Sequence, residues 1–196
     1  MVFRTTTLAA LAAVAMAVPL TAAEPPRIGA AAPAFSLPSA DGGKVVALPE
    51  LVAGSKAVVV IFDATRCPYA KGYKARVAAM SKEYAAKGVS FVTVNSNKTE
   101  PAAEVAEDAK KSGFSFPVLK DEGNKVADLY AAQKTPEVYV VDSKGTLVYH
   151  GRIDETHDRP DEVRSPDLRN ALDALLAGKP VPAAETKSFG CTIKRA

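Results

Sequence analysis

The chain has 196 residues, 47% hydrophobic and 24% charged, the composition of an ordinary globular protein rather than a disordered one. Its net charge of +3 comes from 25 Lys and Arg against 22 Asp and Glu, and the two signs interleave, so no basic tract marks a nucleic-acid surface. The two cysteines are too few for a disulfide framework or an all-cysteine zinc site, but they suffice for one bridge or one redox couple.

Residues 1–23 read as a secretory signal peptide. Arg4 supplies the positive start, residues 8–18 form an unbroken apolar run, Pro19 breaks it, and Thr21-Ala22-Ala23 offers small residues for cleavage. The run is too short to span a bilayer as a stable helix. The expectation is an exported protein of a bacterial periplasm, with no membrane anchor after cleavage, in a compartment that permits disulfides.

After a Pro- and Ala-rich lead-in, short β-like runs at 34–37 and 44–48 flank Asp41-Gly42-Gly43 and predict a hairpin. Residues 57–62 are a continuous β-branched and aromatic run, as for a strand buried on both faces. Tyr73, Val77, Met80 and Tyr84 then recur at helical spacing up to Gly88, and 89–94 is the next strand. A second helix is expected from a Thr99 cap, with Pro101 in its first turn, to Lys111. A short apolar run at 116–119, a turn at 121–124 and a brief helix around Val126, Leu129 and Tyr130 follow. Residues 138–141 and 146–149 read as a hairpin, and a last helix opens with Ser165 as cap and Pro166 at its first position. This order predicts an α/β sandwich with a mixed sheet, spanning 24–178, followed by a Pro-rich arm and cysteine-bearing tail at 179–196.

Cys67 stands where the buried strand hands over to a helix. There the unsatisfied N–H groups and the helix dipole favour a thiolate, Pro68 loses nothing by lacking an N–H, and Arg66 and Lys71 add positive charge. Asp63 argues the other way, since a nearby carboxylate disfavours the thiolate. The plain alternative is a buried structural cysteine.

The lead-in Ile28-Gly29-Ala30-Ala31-Ala32-Pro33-Ala34-Phe35-Ser36-Leu37 resembles the opening of redoxin and alkyl-hydroperoxide-reductase (AhpC/TSA) domains of the thioredoxin superfamily. Cys67-Pro68-Tyr69 matches that superfamily's active-site position. Thr135-Pro136 before Val138 is similar to its cis-proline loop, and Gly151-Arg152-Ile153-Asp154 and Gly190-Cys191-Thr192-Ile193-Lys194 resemble the distal part of a secreted, peroxiredoxin-like branch. The resemblance implies a thioredoxin-like three-layer sandwich, a mixed sheet with helices on both faces and an N-terminal β-hairpin. It also implies Cys67 as nucleophile, Pro136 as the cis-proline shaping a docking groove, and Thr65 and Thr135 as supporting residues.

The chain also departs from the pattern. Ala70 occupies the place of the second thioredoxin cysteine. Val60 and Ala64 stand where peroxiredoxins carry Pro and Thr or Ser, with Thr65 one place off, and the peroxiredoxin arginine is missing at the Thr135-Pro136 loop. Cys191, 124 residues from Cys67, is then either a resolving thiol or half of a static staple. Cys67, Cys191 and His150 or His157 could compose a copper site, although His157 in a charged loop reads as a solvated histidine, Arg152 and Asp154 as salt-bridge residues, and Tyr69 and Tyr73 as packing groups. The expectation is an exported thiol–disulfide oxidoreductase with no cofactor, a dithiol electron-donor protein as partner, and a protein thiol, disulfide or hydroperoxide as substrate. The alternatives are a hydroperoxide reductase and a non-catalytic copper- or protein-binding module.

Overall fold

The computed structural model describes residues 25–196, so the expected signal peptide lies outside the described residues. Strand β3 (Ala57–Asp63) is the hub of a five-stranded sheet, its first six residues fully buried, as its apolar run requires. It pairs in parallel with β4 (Val89–Asn95), which in turn takes β5 (Val118–Lys120) in parallel. On its other side β3 pairs antiparallel with β7 (Glu137–Asp142), which turns through 142–145 into β8 (Leu147–Gly151). The sheet order is therefore β5-β4-β3-β7-β8. The register sets Phe62 opposite Glu137 and Asp63 beside Asn95, which gathers the ends of β3 and β4 and the start of β7 at one rim.

Alternation along β3 splits the core in two. Val59 and Ile61 face α2 (Pro68–Ala85), whose Tyr73, Val77, Met80 and Tyr84 form the expected apolar stripe, and α5 (Asp167–Leu176) with Leu168 and Leu172. Val58, Val60 and Phe62 face the hairpin β1 (Ser36–Pro38) and β2 (Val45–Ala47), α1 (Leu48–Ala53) and α4 (Lys125–Leu129). Helix α3 (Ala102–Lys111) runs beside α2. The mixed sheet with helices on both faces and an N-terminal hairpin is thus present. Among the described residues no helix is long and apolar enough to cross a membrane.

Three local expectations are corrected. Helix α1 was not foreseen, because six residues with only Leu48 buried carry no readable period. Thr99 does not cap α3; Pro101, extended at φ −61° and ψ 150°, precedes it, and Glu100 turns its side chain inward instead. Helix α5 begins at Asp167, and Ser165 bonds the Asp167 carboxylate rather than capping a backbone N–H.

The Pro-rich arm follows the open edge of β8. His150 N–H donates to Ala184 O at 2.9 Å, and Thr186 N–H donates to His150 O at 3.0 Å. A Cβ at Gly151 would fall 2.0 Å from Thr186 Oγ1, so this close approach needs glycine.

A buried charge cluster ties α2 to α3. Lys74 Nζ lies 3.0 Å from Asp63 and 2.5 Å from Asp108. Burial pushes the Asp63 carboxyl up, while the two carboxylates outweigh the burial of Lys74 and push its ammonium up. Removing the one cation leaves two largely buried carboxylates without their cation. Lys74→Met should therefore cost about 3–5 kcal/mol in chemical denaturation, and Asp108→Asn should cost less because Lys74 keeps Asp63.

Candidate active site

Cys67 is the residue from which α2 starts. Its backbone is extended, at φ −76° and ψ 120°, and its Sγ accepts the Ala70 N–H at 3.5 Å. The sulfur therefore sits on the orphan donors of an 18-residue helix, as the strand–Cys-Pro–helix order implied. Pro68 occupies the first helical turn. The thiol also donates to Thr135 O at 3.2 Å, and Cys67 is only 3% exposed.

Thr135 belongs to β6 (Lys134–Thr135), a two-residue strand ending in a cis Thr135-Pro136 bond, as the resemblance implied. It pairs antiparallel with β9 (Cys191–Thr192), Thr135 opposite Cys191. Gly190 makes the pairing possible. Its φ is +145°, and a Cβ there would lie 2.0 Å from Thr135 O. Cys191 consequently packs on Ala64, Cys67 and Ala70, and both cysteines are free thiols. Burial, then the hydrogen bond and charge of Cys67, push the Cys191 thiol up to about 11.

The tail is docked rather than loose. Ile193 is 3% exposed in the core, and its N–H donates to Gln133 O at 3.0 Å. Lys194 N–H donates to Asn97 Oδ1 at 2.7 Å, Lys98 N–H to Lys194 O at 2.9 Å, and Arg195 reaches Asp128 at 2.9 Å. Phe189 packs edge-on against Tyr69, which itself packs at a tilt against His157, ring centres 4.3 Å apart.

Several expected neighbours take other roles. Arg66 turns away from the sulfur and grips Glu104 with two bonds, at 2.8 and 2.5 Å, so it brings no charge to the thiol. Lys71 is exposed, and only its backbone N–H meets Cys67 O. Thr65 is buried and serves through its backbone. Tyr73 donates to Asp154 O at 2.8 Å, Asp154 binds Arg76 at 2.5 Å, and Arg152 binds Asp167 at 2.6 Å. Among the described residues no three His, Cys, Asp or Glu side chains are grouped to hold a metal ion.

Two buried glutamates frame the site, and sequence reasoning missed both. Glu100 accepts the N–H groups of Thr65 at 2.9 Å and Arg66 at 3.0 Å and the side-chain amide of Asn95 at 2.6 Å, which fixes the loop before Cys67. Glu137 accepts the N–H groups of Gln133 at 2.7 Å and Lys134 at 2.8 Å, and its other oxygen meets His150 Nε2 at 2.7 Å, which fixes the loop before Pro136. A usable signal existed only for Glu137, an acid directly between Pro136 and the apolar strand run 138–141. Burial pushes the Glu137 carboxyl up, but His150 and the two backbone amides outweigh it and hold the group below the usual carboxylate range.

The sign of the pH effect follows. The unfolded chain binds this proton more readily, so the contribution of Glu137 is complete above the unfolded value of about 4.3 and is lost as pH falls through the lower folded value. Thermal melts of the unaltered chain and Glu137→Gln should differ most above about pH 5 and converge on acidification. A gap that does not narrow on acidification would count against this assignment.

The AhpC/TSA family model matches residues 28–150. The thiol-disulfide oxidoreductase ResA of Halalkalibacterium halodurans is 30% identical over 106 residues, covering 54% of this chain and 58% of its own, so the chain spans less than two thirds of that relative. A crystal structure of a hypothetical protein from Sinorhizobium meliloti 1021 is 35% identical with a TM-score of 0.80, over 87% of this chain and 95% of that one. The thioredoxin domain of a thiol-disulfide oxidoreductase from Bacteroides vulgatus is 19% identical with a TM-score of 0.54, over 63% of this chain and 87% of that one, and shows the fold alone. The fold is thioredoxin-like, and the chain belongs to the AhpC/TSA family.

Proposed function

We propose that this chain is an exported thiol–disulfide oxidoreductase in which Cys67 is the nucleophile and Cys191 the resolving thiol. One observation carries the reading: the tail strand pairs Cys191 opposite Thr135, the residue whose carbonyl holds the Cys67 thiol. The Cys67 thiolate attacks one sulfur of a substrate disulfide, forming a mixed disulfide and releasing the other sulfur as a thiolate. Cys191 then attacks the Cys67 sulfur, expels the substrate thiol and leaves a Cys67–Cys191 bridge. A partner dithiol reduces that bridge. Pro136 closes the floor beside Cys67, and Thr135 orients the thiol. Export is supported by Arg4, the apolar run 8–18 and the small residues 21–23.

A peroxide chemistry would need donors that hold the leaving oxygen. Val60 and Ala64 are apolar and buried, and Arg66 is committed to Glu104.

Turnover of a glutathionylated peptide tests the reading. Cys67→Ser should fall to background, and Cys191→Ser should stop after one equivalent, with the mixed disulfide on Cys67 visible by mass spectrometry. Unchanged turnover in Cys67→Ser would refute the assignment. Hydrogen peroxide consumed faster than the peptide would replace it with the hydroperoxide reductase, and inertness to both would favour a binding module.

A further inference from the structure

The thiol assigned as nucleophile is the less accessible of the two. Cys67 is 3% exposed, beneath β9 and against Thr135 O, whereas Cys191 is partly exposed on the strand that covers it. What holds that strand is local: two paired residues with the Lys134–Thr192 side-chain bond, Ile193 in the core, the bonds of Lys194 to Asn97 and Lys98, Arg195 on Asp128 and on Ala132 O, and the Ala196 N–H on Asn124. Residues before it lie on the β8 edge by separate bonds at 184–186, so 191–196 can lift while the arm stays in place.

We propose that residues 191–196 form a strap over the nucleophile, so that with the strap down outside thiols exchange at Cys191, and Cys67 meets a substrate disulfide only when the strap lifts. This rests on the oxidoreductase reading above and assigns its two half-reactions to two different sulfurs. In re-reduction, one thiolate of the partner dithiol attacks Cys191 Sγ. The new bond joins partner and Cys191, the Cys67–Cys191 bond breaks, and its electron pair leaves on Cys67, where the Ala70 N–H receives it. The partner's second thiolate then attacks the partner sulfur of that mixed disulfide, and the Cys191 thiolate leaves and takes up a proton. Two electrons have passed from the partner dithiol to the bridge. In substrate attack the order reverses: the strap lifts, Cys67 reacts, and the returning strap delivers Cys191.

The strap also explains Gly190. Any side chain there collides with Thr135 O, so Gly190→Ala forces β9 off its partner while leaving both cysteines in the full chain.

The test has two arms. In a Cys191→Ser background, labelling of Cys67 by 5,5′-dithiobis(2-nitrobenzoate) should accelerate on the order of tenfold or more when Gly190→Ala is added, because the reaction follows the lifted fraction. Ile193→Ser is the second strap-weakening variant, and circular dichroism checks that each remains folded. In the second arm the oxidised, unaltered chain is mixed with excess 2-mercaptoethanol, quenched in acid and peptide-mapped. The adduct should sit on Cys191. Labelling unchanged in a folded strap variant, or an adduct chiefly on Cys67, overturns the strap. Should both variants unfold, the second arm alone decides. Either failure, with Cys67→Ser still inactive in peptide turnover, removes the strap and leaves the exchange chemistry in place.

Discussion

The pairing of Thr135 with Cys191 is the contact on which the site depends. It is a weak one by itself, since a few ladder hydrogen bonds contribute about 0.5–1.5 kcal/mol each. Burial of Ile193 adds about 1.5–3 kcal/mol, the anchor at Asn97 is buried, and the one at Asp128 is exposed. The sum, several kcal/mol, is a sizeable part of a domain's stability of about 5–15 kcal/mol, so the proposed lifting is a minor local opening that leaves the sheet folded. A single carbonyl, Thr135 O, faces the Cys67 thiol on one side and Gly190 on the other. Movement of the strap is therefore felt at the nucleophile through one peptide group.

That carbonyl must be held still for the coupling to operate, and buried acids do this. Glu137 clamps the amides of residues 133 and 134, and Glu100 clamps those of 65 and 66, so both loops that meet at Cys67 are pinned by carboxylates from outside them. Charge-assisted bonds of this kind are stiff, and losing one leaves several buried N–H groups unmet. Asp63, at the end of the strand leading to Cys67, is neutralised by Lys74 instead. The carboxylate expected to oppose a thiolate thus pairs with a cation two turns along α2.

The sheet and its two main helices were legible because they carry strong periods: the unbroken run at 57–62 and the Tyr73, Val77, Met80 and Tyr84 stripe. Helix α1 was not, since six residues with one buried side chain give no pattern. At the site, the strand–Cys-Pro–helix junction located Cys67, and the family likeness located Pro136. The partners of Arg66 were illegible, because proximity in sequence says nothing about where a long side chain turns, and Glu104 is 38 residues away. Glu100 hid for a similar reason. An acid before Pro101 looks like helix-start decoration, and only the folded chain brings the 65–66 loop over it.

If Cys191 resolves, as proposed, its distance along the chain changes how the two thiols influence each other. In a close-spaced pair the second thiol is fixed by the same helix, whereas here its effective concentration is set by how often the strap is down. Cys191 is pushed up to about 11 by burial first, then by its own hydrogen bond to Cys67 and by the charge of a Cys67 thiolate. A mixed disulfide on Cys67 removes the last two of these, because a disulfide sulfur carries no charge and is a weak acceptor, while burial still holds the thiol up. Cys191 is thus restrained while Cys67 is free and becomes more readily ionised at the stage when it must attack. On the proposed reading, lifting of the strap exposes Cys67, and its return brings Cys191 back against the captured sulfur, so one short strand governs both halves of the exchange.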